Sequence, residues 1–166
     1  MSWSDRRKVL AALAAAACLS GCGFTPVYAP GGAGDRLHGQ ILADAPGNRD
    51  GYTFVAHFED RLGRATDAAP FALAYEIDTD SEGLAVTPDQ ETLRYQLTGT
   101  IRYRITDRAT GRVLTSGQVN SFTSYSAIGT TVATRASQTD AEQRLMVVLA
   151  DQLVARLLAS ADGWLP

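Results

Sequence analysis

From Leu93 to Thr106 the chain alternates with a period of two. Leu93, Tyr95, Leu97, Gly99, Ile101, Tyr103 and Ile105 are interleaved with Arg94, Gln96, Thr98, Thr100, Arg102, Arg104 and Thr106. Successive side chains of a strand point to opposite faces, so this pattern predicts a long strand with one buried and one polar face. Asp107-Arg108-Ala109-Thr110-Gly111 reads as a turn in which Gly111 is free to take positive φ. Val113 to Tyr125 then returns as the antiparallel partner, making residues 92–125 one long hairpin. A hairpin with one apolar face requires a second layer to cover it.

Two helical patterns supply that layer. Leu145, Leu149, Leu153 and Leu157 are spaced by four, with Met146 and Ala150 beside them. Asp140, Glu142, Arg144, Asp151 and Arg156 fall at more exposed angles, and the pattern predicts a helix from about Val132 to Ala159, with Gly163 and Pro166 beyond its end. The Leu/Met stripe reads as core rather than ligand site, and its burial stabilises the domain by about 1.5–3 kcal/mol per side chain. A shorter helix begins near Gly51 behind a cap at Asn48 or Asp50 and carries Phe54, Phe58 and Leu62 on one stripe. His57, Glu59, Asp60 and Arg61 lie mostly on its other side, and Gly63 closes it. Leu37 to Leu42 reads as a short strand that Gly39 weakens. Phe71, Leu73, Tyr75 and Ile77 give another, interrupted at Asp80–Gly83 and resumed by Leu84 and Val86. The order β-α-β-β-β-α predicts an α+β fold: a two-layer sandwich, two helices packed on one face of a mostly antiparallel four-stranded sheet.

The N-terminus has the parts of a secretory signal. Arg6, Arg7 and Lys8 precede an uncharged run from Val9 to Leu19, and Leu19-Ser20-Gly21-Cys22 follows. The run is 11 residues long, which suits a signal-peptide core and falls short of the about 20 needed to cross a hydrocarbon layer. The small residues before Cys22, with Leu three positions upstream, resemble the bacterial lipobox, whose Cys thiol receives a diacylglycerol before cleavage. Cys18 has no such Leu and Gly before it. The paired arginines resemble a twin-arginine signal, but Asp5 and Val9 fit that pattern poorly and favour the general secretory route. The expected organisation is a signal peptide over 1–21, a Gly/Pro-rich tether over 22–36 with lipid (including palmitate) at Cys22, a domain over 37–160 and a tail over 161–166.

Composition narrows the chemistry. Without residues 1–21 the chain keeps 12 basic and 17 acidic side chains, a net charge of about −5, where a nucleic-acid protein calls for a basic excess. All of the remaining basic residues are Arg. No Cys is left for a disulfide, a metal or a nucleophile once Cys22 is acylated. There is no Gly-rich phosphate loop before a helix and no GxSxG elbow. His38 and His57 lack metal-site spacing, and the acid pairs Glu59-Asp60 and Asp78/Asp80 sit where solvated carboxylates are ordinary. The reading is therefore of a protein with no catalytic residues, metal or cofactor beyond the covalent lipid. Arg94, Arg102 and Arg104 share the polar face of the long strand. They are candidates for anionic groups, against the plainer role of a solvated face that discourages edge pairing.

Cys22-Gly23-Phe24-Thr25-Pro26-Val27-Tyr28 resembles the start of mature LptE-family lipoproteins, in which Cys-Gly-Phe and a nearby Pro-hydrophobic-Tyr recur. The element order, the Tyr-rich long hairpin and the Ala-rich last helix are also similar, over most of residues 19–160. The resemblance implies two helices on a four-stranded sheet, and a plug and folding partner for the outer-membrane β-barrel LptD. It further implies that the pair inserts lipopolysaccharide into the outer leaflet and that the lipoprotein itself binds lipopolysaccharide. Family contacts to lipopolysaccharide are basic, which makes Arg94, Arg102 and Arg104 candidates by chemistry. Gly23 in place of Asp after the lipidated Cys points to the outer membrane. The alternative is a periplasmic accessory lipoprotein of an ABC-type envelope lipid transporter.

Overall fold

The computed structural model describes residues 26–86 and 92–165; the signal segment, Cys22 and the Gly-Phe start of the motif lie outside them. The chain order is α1 (Ala33–Leu37), β1 (Ile41–Ala43), α2 (Arg49–Leu62), β2 (Phe71–Val86), β3 (Thr92–Asp107), β4 (Val113–Ser126) and α3 (Thr131–Trp164). The four strands form one sheet in the order β1-β2-β3-β4. β1 runs parallel to β2, and the other pairs are antiparallel. Helices α2 and α3 pack on one face, so the α+β sandwich expected from the pattern is the fold of the protein.

The period-two stretch is β3. Leu97, Gly99, Ile101, Tyr103 and Ile105 are buried, while Arg94, Thr98, Arg102 and Arg104 are exposed. Its turn is built by Asp107, whose Oδ1 accepts the N–H groups of Ala109 and Thr110, each at 2.9 Å. These hydrogen bonds, the Thr110 N–H foremost, hold the Asp107 carboxyl below the usual carboxylate range. Gly111 then takes φ 71° to close the turn. Across the sheet, Gly99 lets α3 approach: a Cβ there would lie 2.9 Å from the side chains of Leu145 and Leu149.

Helix α2 is capped as expected, with Asn48 Oδ1 accepting from the Gly51 N–H at 2.8 Å. Phe54, Phe58 and Leu62 are buried on its inner stripe. Leu145, Met146, Leu149, Ala150, Leu153 and Leu157 of α3 are also buried. The first turns of α3, up to Asp140, bury no side chain fully and run past the sheet.

The polar stretch Asp80–Gly83 does not interrupt β2: it pairs with β3 from Thr98 to Tyr95, and the register shifts only after Gly83. Three boundaries also differ from the sequence expectation. Leu37 ends helix α1 instead of opening a strand, because Gly39 at φ 66° turns the chain and donates to Leu62 O at 2.7 Å. Only Ile41–Ala43 pair as strand. The part of the expected tether from Pro26 onward is folded: Gly34 N donates to Val27 O at 2.8 Å, and Arg36 meets Asp162 at 2.8 Å. The expected tail is the last turn of α3, where Ala161 and Trp164 are buried and the Trp164 ring meets Phe71 edge-on at 5.9 Å. Burying an indole outweighs the helix cost of Gly163.

Candidate functional site

The sheet face turned away from the helices is polar, and its character follows from register. Arg102 stands between Glu76 of β2 and Gln118 of β4, and Arg104 between Ala74 and Ser116. The small side chains of Ala74 and Ser116 leave a shallow depression of about 470 Å³ around the two guanidinium groups. Glu76 Oε2 lies 3.7 Å from Arg102 Nη1, and both side chains are exposed, so this is a loose surface pair. Arg104 has no carboxylate partner among the described residues. Two arginines two residues apart on one face stand about 7 Å from each other along the strand. That spacing suits an anion with several oxygens.

Arg94 points from the same face but is not part of this group. Eight residues separate it from Arg102, which is roughly 27 Å of strand. Its cross-strand partners are Ala85 and Ser126, and between it and Arg102 the neighbouring strand β2 carries the exposed carboxylates Asp78, Asp80 and Glu82. The polar face is therefore basic toward the β3–β4 turn and acidic toward the opposite end. Arg108, in the turn, is structural: its guanidinium donates to Ala69 O at 2.8 Å and to Asp67 O at 2.5 Å.

Two further clusters had no signature in the sequence. Asp151 of α3 accepts from His57 Nε2 at 3.2 Å and forms an ion pair with Arg61, whose Nε lies 3.0 Å away, clamping α2 to α3 across a long sequence separation. Arg156 and Arg144 of α3 reach backbone oxygens of β4, at Gln118 (3.0 Å) and Ser124 (3.4 Å). At the N-terminal end of α2, burial first and then the charge of Glu142 push the Asp50 carboxyl up. A larger hollow of about 1060 Å³ lies against the first turns of α3, between Arg49 and Arg135. It includes none of the candidate arginines. Among the described residues no three acidic, His or Cys side chains gather as a metal site, and no helix is long and apolar enough to cross a membrane.

The family model for LptE, lipopolysaccharide-assembly, matches residues 35–157. The chain belongs to the LptE family. That membership makes it a non-enzymatic accessory protein of lipopolysaccharide assembly. Comparison with curated protein sequences finds no significant match. Solved structures share the fold. A candidate lipoprotein from Caulobacter crescentus superposes with a TM-score of 0.65 at 20% identity, over 79% of this chain and 96% of its own. Rare lipoprotein B from Shewanella oneidensis gives 0.59 at 11% identity, over 75% and 96%. A minor lipoprotein from Acinetobacter baumannii gives 0.53 at 17%, over 73% and 90%.

Proposed function

We propose that this LptE-family chain is an outer-membrane lipoprotein, anchored through Cys22, that plugs and helps assemble an LptD-type β-barrel. In that position it assists insertion of lipopolysaccharide into the outer leaflet. The family match across residues 35–157 carries the reading. The lipobox at Leu19–Cys22 supports the anchor, and Gly23 after the Cys supports the outer membrane. Arg102 and Arg104 support direct contact with lipopolysaccharide, since a guanidinium meets phosphate through two parallel N–H···O bonds. Such exposed contacts weaken as salt rises.

Capture of the lipoprotein from detergent-solubilised envelopes tests the partnership. The expected result is a large barrel protein in stoichiometric amount; an inner-membrane permease in its place would favour the transporter-accessory alternative. Unchanged surface lipopolysaccharide after depletion of the protein would refute the plug. For the basic pair, Arg102→Glu with Arg104→Glu is expected to weaken lipopolysaccharide binding about tenfold, or about 1.4 kcal/mol, with an unaltered circular dichroism spectrum. Unaltered binding would leave the pair as an ordinary solvated face of an interior strand.

A further inference from the structure

Backbone parity shows which polar groups of the sheet have no strand beside them. Ala127 N donates to Leu93 O at 3.0 Å, and the β3–β4 register is unbroken from Arg94↔Ser126 to Ile105↔Thr115. In an antiparallel pair alternate residues turn both N–H and C=O toward the neighbouring strand. Odd-numbered residues of β4 therefore face β3. Even-numbered ones, from Ser116 to Ser124, face outward, because β4 is the last strand of the sheet. Two of the outward carbonyls are capped by α3, Gln118 by Arg156 and Ser124 by Arg144. Between them Asn120 and Phe122 have no partner for N–H or C=O among the described residues.

The surroundings of this gap suit a strand. Arg144, Val148, Gln152 and Arg156 follow one another by four along α3 and form a stripe beside it. Phe122 is 70% exposed and Val148 42% exposed, and β4 carries no charged side chain from Ser116 to Ser124. An uncharged edge with an exposed aromatic residue attracts another strand rather than repelling it. A second copy of this chain is a poor occupant. Self-pairing centred on Ser121 sets Gln118 opposite Ser124, and so brings Arg156 of one copy against Arg144 of the other. Arg156 itself makes no ion pair among the described residues.

We propose that the Gln118–Ser124 edge of β4 accepts an extended segment of a protein partner as a fifth strand, with a carboxylate of that segment on Arg156. The distance between the two capped carbonyls, about 20 Å, admits roughly five residues. Main-chain hydrogen bonds at Asn120 and Phe122 supply affinity, and the carboxylate supplies direction. The barrel of the preceding section is the expected source of the segment, and only that identification rests on the proposed function.

The test uses the full-length protein in detergent with a synthetic peptide of alternating Thr and Val that ends in Asp. Hydrogen exchange is read at single amides. At about 1 mM peptide, exchange at Asn120 and Phe122 is expected to slow about tenfold, while the β2 amide of Thr79 is unaffected. Phe122→Pro removes one outward N–H, leaves the ladder with β3 intact, and abolishes the protection. Asn120→Pro does the same should the first variant misfold. Arg156→Glu weakens the Asp-ended peptide about tenfold, and a Lys-ended peptide restores binding. Absence of protection at both amides, or dimerisation through this edge without peptide, overturns the proposal. In envelopes, a barrel captured by the wild type and lost with Phe122→Pro assigns the segment to the barrel. Equal capture by both overturns that assignment, and a wild-type capture without any barrel strikes the proposed function while the peptide result still decides the strand addition.

Discussion

On one side of the sheet, β2 runs on for most of its length past the three-residue pairing with β1. Its outward polar face there carries Glu76, Asp78, Asp80 and Glu82 at every second position. On the other side, β4 has no carboxylate between Ser116 and Ser124 and is covered only where Arg156 and Arg144 cap two carbonyls. Both are long edges with unpaired backbone, and both face the same hazard of unwanted pairing. Charge along the strand defends the first edge everywhere. Two long side chains from another element defend the second at separated points and leave its middle open. An edge that is guarded throughout and one that is guarded with a gap are different devices, and only the second is suited to receive a partner.

Both caps on β4 depend first on the seat of α3. Leu149→Asp places a carboxylate where no solvent reaches. Its cost of several kcal/mol is comparable with the whole stability of a small domain. Soluble, trypsin-resistant protein is expected to disappear; a well-folded variant would show that α3 is not what positions Arg144 and Arg156. Gly99→Val is the milder version. Its branched side chain meets Leu145 and Leu149 and is expected to lift α3 at about 1–3 kcal/mol, read as a lower urea midpoint, whereas an unchanged midpoint would mean that the helix rides farther from β3.

The guard on β2 is tested by Asp78→Val with Asp80→Val. Removing two carboxylates from the edge is expected to convert a monodisperse sample into one that self-associates, by light scattering. A variant that stays monomeric would credit the irregular register near Gly83 with the protection instead. The smallest effect concerns the turn that sets which β4 residues face outward. Asp107 has its carboxyl pulled below the ordinary 3.8 by backbone donors. The stability it contributes is therefore present above that value and is lost as pH falls through the lowered one. Asp107→Asn is expected to flatten the acid-side decline of the urea midpoint, and an identical decline in both proteins would remove Asp107 from the account.

Much of this was legible in the chain. The β3 alternation told buried Ile101 and Ile105 from exposed Arg102 and Arg104, because strand side chains alternate by local geometry alone. The Leu145–Leu157 stripe and the Asn48 cap were legible for the same reason. The basic face was legible as a face but not as a site. Parity puts Arg94 on the same side as Arg102 and Arg104, yet only the register shows that Arg94 lies opposite Ala85 and Ser126, Arg102 beside Glu76, and Arg104 between Ala74 and Ser116. Gly and Pro before Leu37 suggested a spacer, and composition does not reveal that Leu37 sinks into the core or that Arg36 finds Asp162. His57, Arg61 and Asp151 meet only because two helices distant in sequence pack side by side.

By itself the sequence determined the layers: which residues of each element turn inward, where the long turn falls, and that no charge guards β4 from Ser116 to Ser124. Those properties depend on one residue and its near neighbours, through periodicity, capping and φ. The tertiary structure alone decided that β4 is the outermost strand, that β2 outruns β1, and that Arg144 and Arg156 land on the carbonyls of Ser124 and Gln118. Strand order and helix placement are set by burial shared among segments far apart in the chain. A free backbone group is known only when every element that might have paired with it has found its place.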